Sequence, residues 1–277
     1  MGGRLVTIAP SGGLLAEEYR AIDDGIRRTP PLSLAFDPDR WEPGAVAAAR
    51  RAWTQRMALE YRSTTVFGAL ASQLFDAGAA IDAQVVMLRM AQDELRHTVT
   101  CGEVVAALGG EPCFDADVTV APLARHGDAS PEERALRNVL YTTCLSETVA
   151  VARLADELEA TKDPFLREAT RRLLADEVLH GQFGFRYLEA WRPWLRERPE
   201  VVRSLERYLR LAFAVLEREL VPPEGTTARL SADELALGLA PYERGREIFY
   251  EVMKEAVVPG LEHAGLDAGR AFHARAA

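Results

Sequence analysis

The chain has 277 residues, with 33 Lys+Arg against 42 Asp+Glu and a formal net charge of −9. Its length admits one large domain or two average ones and excludes a core-starved miniprotein, and the acidic balance excludes a surface that neutralises phosphates broadly, so nucleic acid is not an expected partner. Cys101, Cys113 and Cys144 share no CxxC spacing, no basic-then-apolar leader opens the sequence, and no membrane-length apolar run occurs, so the expectation is a soluble, cytoplasmic protein without membrane contact.

Residues 1 to 43 read as an irregular arm with one short helical piece from Leu14 to Ile26, because Pro30, Pro31, Pro38 and Pro43 punctuate the rest. Helical spacing then runs through Trp53, Met57, Tyr61, Thr64, Phe67, Leu70 and Leu74 to a stop near Gly78. A second helix follows from Ala80 through Val85, Leu88, Ala91, Leu95, Val99 and Val104 to Gly109-Gly110. Residues 110 to 129 carry Pro, Gly and Asp with a short alternating patch, and their length suits a crossover. Ser130-Pro131-Glu132-Glu133 combines an N-cap, a first-turn proline and a capping-box glutamate, opening a third helix that runs to Ala160. After the turn Thr161-Lys162-Asp163-Pro164, a fourth runs to Trp191. Weaker helices are expected at 199–220, after Ser231, and at 241–258.

Asp93-Glu94-Leu95-Arg96-His97 lies in the second helix and Asp176-Glu177-Val178-Leu179-His180 in the fourth, so both spell D-E-x-x-H. The spacing puts a carboxylate and an imidazole on one helical face, near enough to hold one metal ion. Two of only five histidines close this pattern, a coincidence on the order of 3 in 10,000 at this composition. A di-metal site in a four-helix bundle also needs one inward glutamate from each of the other two helices. Glu60 and Glu147 are the candidates, each set on an apolar face where an unpaired carboxylate is costly. Glu60 lies about 18 residues before the first turn and Glu94 about 16 after it, so at about 1.5 Å per residue they meet within roughly one helical turn. Glu147 and Glu177 stand in the same relation about the second turn.

The order Glu60, Glu94-x-x-His97, Glu147, Glu177-x-x-His180 resembles the ferritin-like di-iron carboxylate superfamily over residues 44 to 191. Within it, Asp93-Glu94-Leu95-Arg96-His97-Thr98-Val99-Thr100-Cys101 resembles the D-E-x-R-H-x-x-x-C stretch of bacterial di-iron monooxygenase hydroxylases. The resemblance implies an all-α, ferritin-like four-helix bundle with a long crossover and additional terminal helices. It further implies one domain made of an arm (1–43), a di-metal core (44–191) and a C-terminal helical extension (192–277). On that resemblance Glu94 and Glu177 bridge two metals, Glu60 with His97 hold one, and Glu147 with His180 hold the other. Asp176 would orient His97, and Asp93 would orient His180. Cys101 stands where ribonucleotide reductase small subunits carry tyrosine, which excludes a stable tyrosyl radical there. Leu173 stands where arylamine N-oxygenases carry a third histidine, which speaks against that chemistry.

Carboxylate and imidazole donors suit two iron ions (Fe2+/Fe3+), with manganese admissible in one or both positions. The first functional expectation is an O2-dependent oxidoreductase that oxidises, by hydroxylation or a related reaction, a small organic substrate. The alternative is a ferroxidase or ferritin-like iron-handling protein, and a metal-free helical scaffold would leave the doubled motif unexplained. The 86 residues after the bundle are enough to roof a substrate pocket, which favours the first. Ala150, Gly181 and Gly184 on the metal faces either leave that pocket open or let helices pack closely. Expected partners are O2, a small-molecule substrate and an electron donor such as a ferredoxin or a reductase, and a homodimer is compatible with this reading.

Overall fold

The computed structural model describes residues 3–7, 32–117, 121–223, 225–226 and 229–276. The helix expected at Leu14 to Ile26 lies outside them. The protein is mostly helical, with a single two-stranded ribbon among the described residues. Strand β1 (Gly3–Thr7) pairs antiparallel with β2 (Cys113–Asp117), Leu5 opposite Asp115 and Thr7 opposite Cys113. The expectation of an irregular start is corrected at this point: the arm begins as a strand pinned to the alternating patch of the long connection. No local pattern announces a pairing between segments so far apart in the chain.

Helix α1 (Pro43–Asp76) starts on a proline, which loses nothing by lacking an N–H in the first turn. It ends at Gly78, whose φ of +66 suits glycine, and the Ala79 N–H returns to the Leu74 carbonyl at 2.9 Å. Helix α2 (Ile81–Ala107) packs along it and ends before Gly109 in the same way. Helix α3 spans residues 131–160, with the Ser130 hydroxyl accepting from the Glu133 N–H. Its middle, Leu140–Glu147, is wound as a π-helix, a feature that α-periodicity conceals. Helix α4 (Pro164–Arg196) is capped by Asp163, which accepts from the Phe165 and Leu166 N–H groups at 3.0 Å each. It continues past the expected end at Trp191 and carries Pro193 in its last turn. Helices α5 (Pro199–Leu220), α6 (Ala232–Ala236) and α7 (residues 242–263, with a π segment at Met253–Val257) follow. Helix α8 (Ala268–His273) had no counterpart in the sequence reading.

Two apolar clusters form the core. One gathers Phe67, Leu70, Met90, Leu136, Phe183 and side chains of α5, α7 and α8, while the other gathers Trp53, Met57, Cys101, Leu154, Leu166 and Leu173. On α1, α2 and α4 the changeover between them falls at Glu60, at residues 93–97 and at residues 177–180, so a polar layer crosses the helices between two apolar halves. Among the described residues no helix is long and apolar enough to cross a membrane.

Candidate metal centre

Helices α1 to α4 each send one or two side chains into this layer. Glu60, Glu94, His97 and Glu177 offer ligand atoms all within 4.8 Å of one another, as do Glu94, Glu147, Glu177 and His180. All six ligand candidates read from the sequence therefore meet in two adjoining groups that share Glu94 and Glu177. His97 Nδ1 lies 3.7 Å from Glu60 Oε2, 3.7 Å from Glu94 Oε2 and 3.1 Å from Glu177 Oε1. His180 Nδ1 lies 3.0 Å from Glu94 Oε1 and 3.0 Å from Glu177 Oε2. Each shared glutamate thus turns one oxygen toward each histidine, the division a bridging carboxylate makes. Glu94, His97, Glu177 and His180 are buried.

The groups fit an ion better than they fit each other. Glu94 Oε2 and His97 Nδ1 are buried and have no hydrogen-bond partner, although acceptors and donors lie close by. Buried polar atoms are rarely left so. His180 Nδ1 does hydrogen-bond Glu177 Oε2 at 3.0 Å, but the unsatisfied atoms beside it are what a common ion would take up, and these oxygen and nitrogen donors could hold a metal ion.

Electrostatics agree. Burial pushes the Glu60 carboxyl up to about 8 and holds that of Glu147 well above the carboxylate range. Burial would likewise penalise imidazolium at His97 and His180, but the surrounding carboxylates outweigh it, holding His97 well above its ordinary value and His180 up to about 12. The two imidazoles in turn outweigh desolvation at Glu94 and Glu177 and lower both. Without a metal these shifts favour protonated imidazoles and protonated Glu60 and Glu147, so protons take the electrostatic place that an ion would fill.

The opposite ring nitrogens face aspartates. His97 Nε2 is 3.4 Å from Asp176 Oδ2, and His180 Nε2 is 3.6 Å from Asp93 Oδ2, each reaching across to the other motif. An Nε2–H held toward an aspartate leaves the Nδ1 lone pair facing the centre. Two arginines extend the layer, and the sequence reading gave neither a role. Arg96 Nη2 donates to Asp93 Oδ1 and, at 2.9 Å, to Asp176 Oδ2, while Arg89 Nε donates to Asp93 Oδ1 at 2.7 Å. The signal was present in the spacing, since Arg89 and Arg96 stand at i−4 and i+3 from Asp93.

Neighbouring residues resolve two further expectations. Cys101 is a free, fully buried thiol that burial keeps protonated. A Cβ on Gly184 would fall 2.9 Å from the Cys144 backbone nitrogen, and one on Gly181 would fall 3.3 Å from Val151 Cγ2, so these glycines serve close packing of α4 on α3. Space is found elsewhere. A cavity of about 810 Å3 lies between α1, the end of α3 and residues 218–248 of the extension, its wall including Trp53, Arg56, Arg153 and Glu157. Arg56 stands one turn before Glu60 on α1 and is held on Glu157 by two hydrogen bonds. No protein-family model matches the chain, and no curated protein matches it.

Proposed function

We propose that the protein is a non-haem di-iron oxygenase or oxidase that uses O2 to oxidise, by hydroxylation or a related reaction, a small organic substrate, and that α1 to α4 form a ferritin-like four-helix bundle around the metals. The observation that carries this reading is the division of the Glu94 and Glu177 oxygens between two histidines. Glu60 and His97 would complete one iron site, and Glu147 and His180 the other. When bound, the iron pair would supply electrons and Lewis acidity for reaction with O2.

The remaining work falls to the chain. Asp176 and Asp93 face the imidazole Nε2 atoms at 3.4 Å and 3.6 Å and would favour the tautomer that leaves Nδ1 to the metal. Arg96 ties the two aspartates together and, with His180 and Arg89, holds the Asp93 carboxyl below its ordinary value against burial. Phe67, edge-on to the His180 ring at 5.6 Å, belongs to the apolar half that excludes water from that side. The cavity walled partly by the C-terminal extension supports an organic substrate over iron as cargo.

The test is O2 consumption by anaerobically prepared diferrous protein, with candidate organic compounds and with excess Fe(II) alone. Consumption coupled to an oxidised organic product is the expected result. Turnover only with excess iron would replace this reading by a ferroxidase, and failure to take up Fe(II) would remove both.

A further inference from the structure

The cavity beside α1 contains a guanidinium that has no counter-ion among the described residues. Arg153, on the last turns of α3, lines it. Its Nη2 donates to the Leu220 carbonyl at 2.8 Å, its Nε is buried without an acceptor, and among the described residues no carboxylate pairs with it. Burial alone, uncompensated by any neighbouring charge, lowers its pKa.

The acids that could neutralise it are committed elsewhere. Asp156, three residues on, accepts from Arg244 Nε at 2.9 Å. Glu157, four residues on, accepts from Arg56 and from the Thr170 hydroxyl at 3.0 Å. Glu219 on the same wall accepts from the Tyr141 hydroxyl at 2.7 Å. A partly buried cation with no carboxylate partner among the described residues is unfavourable, so this one is placed to take an added anion. Apolar side chains that keep partial exposure, among them Val221, Leu230 and Leu239, also line the cavity.

We propose that this cavity is an amphipathic binding site for an organic monocarboxylate, with the carboxylate on Arg153 and the apolar body along Val221, Leu230 and Leu239. A planar guanidinium edge matches a carboxylate in shape as well as charge. The charged side chains lining the cavity balance, Arg56, Arg153 and Arg218 against Asp156, Glu157 and Glu219, so a dianion such as a phosphate monoester is a larger departure from neutrality than a monocarboxylate and is disfavoured. The volume of about 810 Å3 suits a ligand of medium chain length. Binding at Arg153 needs no metal. That the bound carboxylate is the molecule oxidised rests on the function proposed above, and Arg56 on the cavity wall stands one turn before Glu60.

Calorimetric titration with octanoate, octanamide and octyl phosphate tests it, using full-length protein both metal-free and loaded with Mn(II). Octanoate is expected to bind at least about tenfold more tightly than the other two, with or without metal. Arg153→Gln should weaken octanoate by about tenfold or more and leave octanamide unchanged, and Arg153→Lys should restore part of the loss. The wild-type comparison of octanoate with octanamide needs no variant, so a misfolded Arg153→Gln protein would not shield the idea. Equal binding of octanoate and octanamide, tighter binding of octyl phosphate, or wild-type octanoate affinity in Arg153→Gln would overturn it. Protein that binds octanoate through Arg153 but takes up no metal would retire the di-iron reading alone. Protein that loads metal and ignores octanoate would retire this site alone.

Discussion

The two D-E-x-x-H motifs are near copies in sequence and unequal in their settings. Asp93 is sealed, its side chain 2% exposed, between Arg89 and Arg96, whereas Asp176 is 32% exposed and shares only Arg96 with it. His180 is likewise fully buried beneath Phe67, while His97 faces Glu60, whose side chain is 14% exposed. The source is two positions. Arg89, four residues before Asp93, corresponds to Arg172 before Asp176, and Arg172 donates instead to Glu168. Arg96 in the first motif corresponds to Leu179 in the second, so a single guanidinium serves both aspartates from one side. Duplicated ligand chemistry therefore does not imply duplicated energetics: the donors are paired, but the charges that hold them are not.

The largest effects should come from breaking what the halves share. Glu94→Ala or Glu177→Ala is expected to abolish binding of both metals, since each glutamate gives an oxygen to each half. Glu60→Ala or Glu147→Ala should leave one ion per chain. Elemental analysis of anaerobically loaded protein measures this, and retention of two ions in Glu94→Ala would disprove the sharing.

Next in size is the response to pH, where the metal-free and metal-loaded proteins should diverge. A group whose pKa rises on folding stabilises below its unfolded value and loses that contribution as pH climbs through the folded one. For Glu60 that window runs from 4.5 to about 8, and for His180 from 6.5 to about 12. Glu94 and Glu177 act in the opposite sense and lose stabilisation only as pH falls through and below 4.5. Metal-free protein should therefore lose thermal stability as pH rises above about 6, whereas Mn(II)-loaded protein, whose ligands must be deprotonated, should hold or gain it. Parallel melting curves from pH 6 to pH 8.5 would show that protons and ions do not compete for the site.

Asymmetry between the aspartates predicts a smaller, graded pair of effects. Asp93→Ala strips a buried acceptor from two arginines and should cost about 2–4 kcal/mol in the metal-free protein, less than a fully enclosed pair because both guanidinium groups reach solvent. Asp176→Ala should cost under about 1 kcal/mol, given its exposure, while lowering metal affinity about 10- to 100-fold. Urea unfolding and metal titration of the two variants check the ordering, and equal stability losses would contradict it.

What was legible in the sequence and what was not divides along physical lines. The four helices and six ligand candidates could be read because their signals are local: caps at Ser130 and Asp163, terminators at Gly78 and Gly109, and ligands three residues apart on one face. The pairing of β1 with β2 depends on a contact across more than a hundred residues and left no local trace. The π winding at Leu140–Glu147 keeps an apolar pattern compatible with an ordinary helix, yet it sets where Glu147 points. Arg153 was unreadable for another reason: a missing counter-ion can be recognised only once every nearby acid has been traced to its partner.

Arg96→Leu, which gives the first motif the residue of the second, is the mildest change and isolates one cause of the asymmetry. Asp93 keeps Arg89, so the buried carboxylate is not orphaned, and leucine fills much of the volume left by the side-chain stem. Asp176 loses its guanidinium but retains solvent and the His97 Nε2–H. The expected cost is about 1–2 kcal/mol of stability, from one charged hydrogen bond to a buried partner and one to an exposed partner. Both ions should remain bound, because no ligand moves, and the affinity loss should fall at the His97 half, where Asp176 now has only the imidazole to hold it in place. Stepwise metal titration separates the two sites. A loss confined to the His180 half would show that Arg96 acts chiefly through Asp93, and the asymmetry would then belong to burial rather than to the guanidinium.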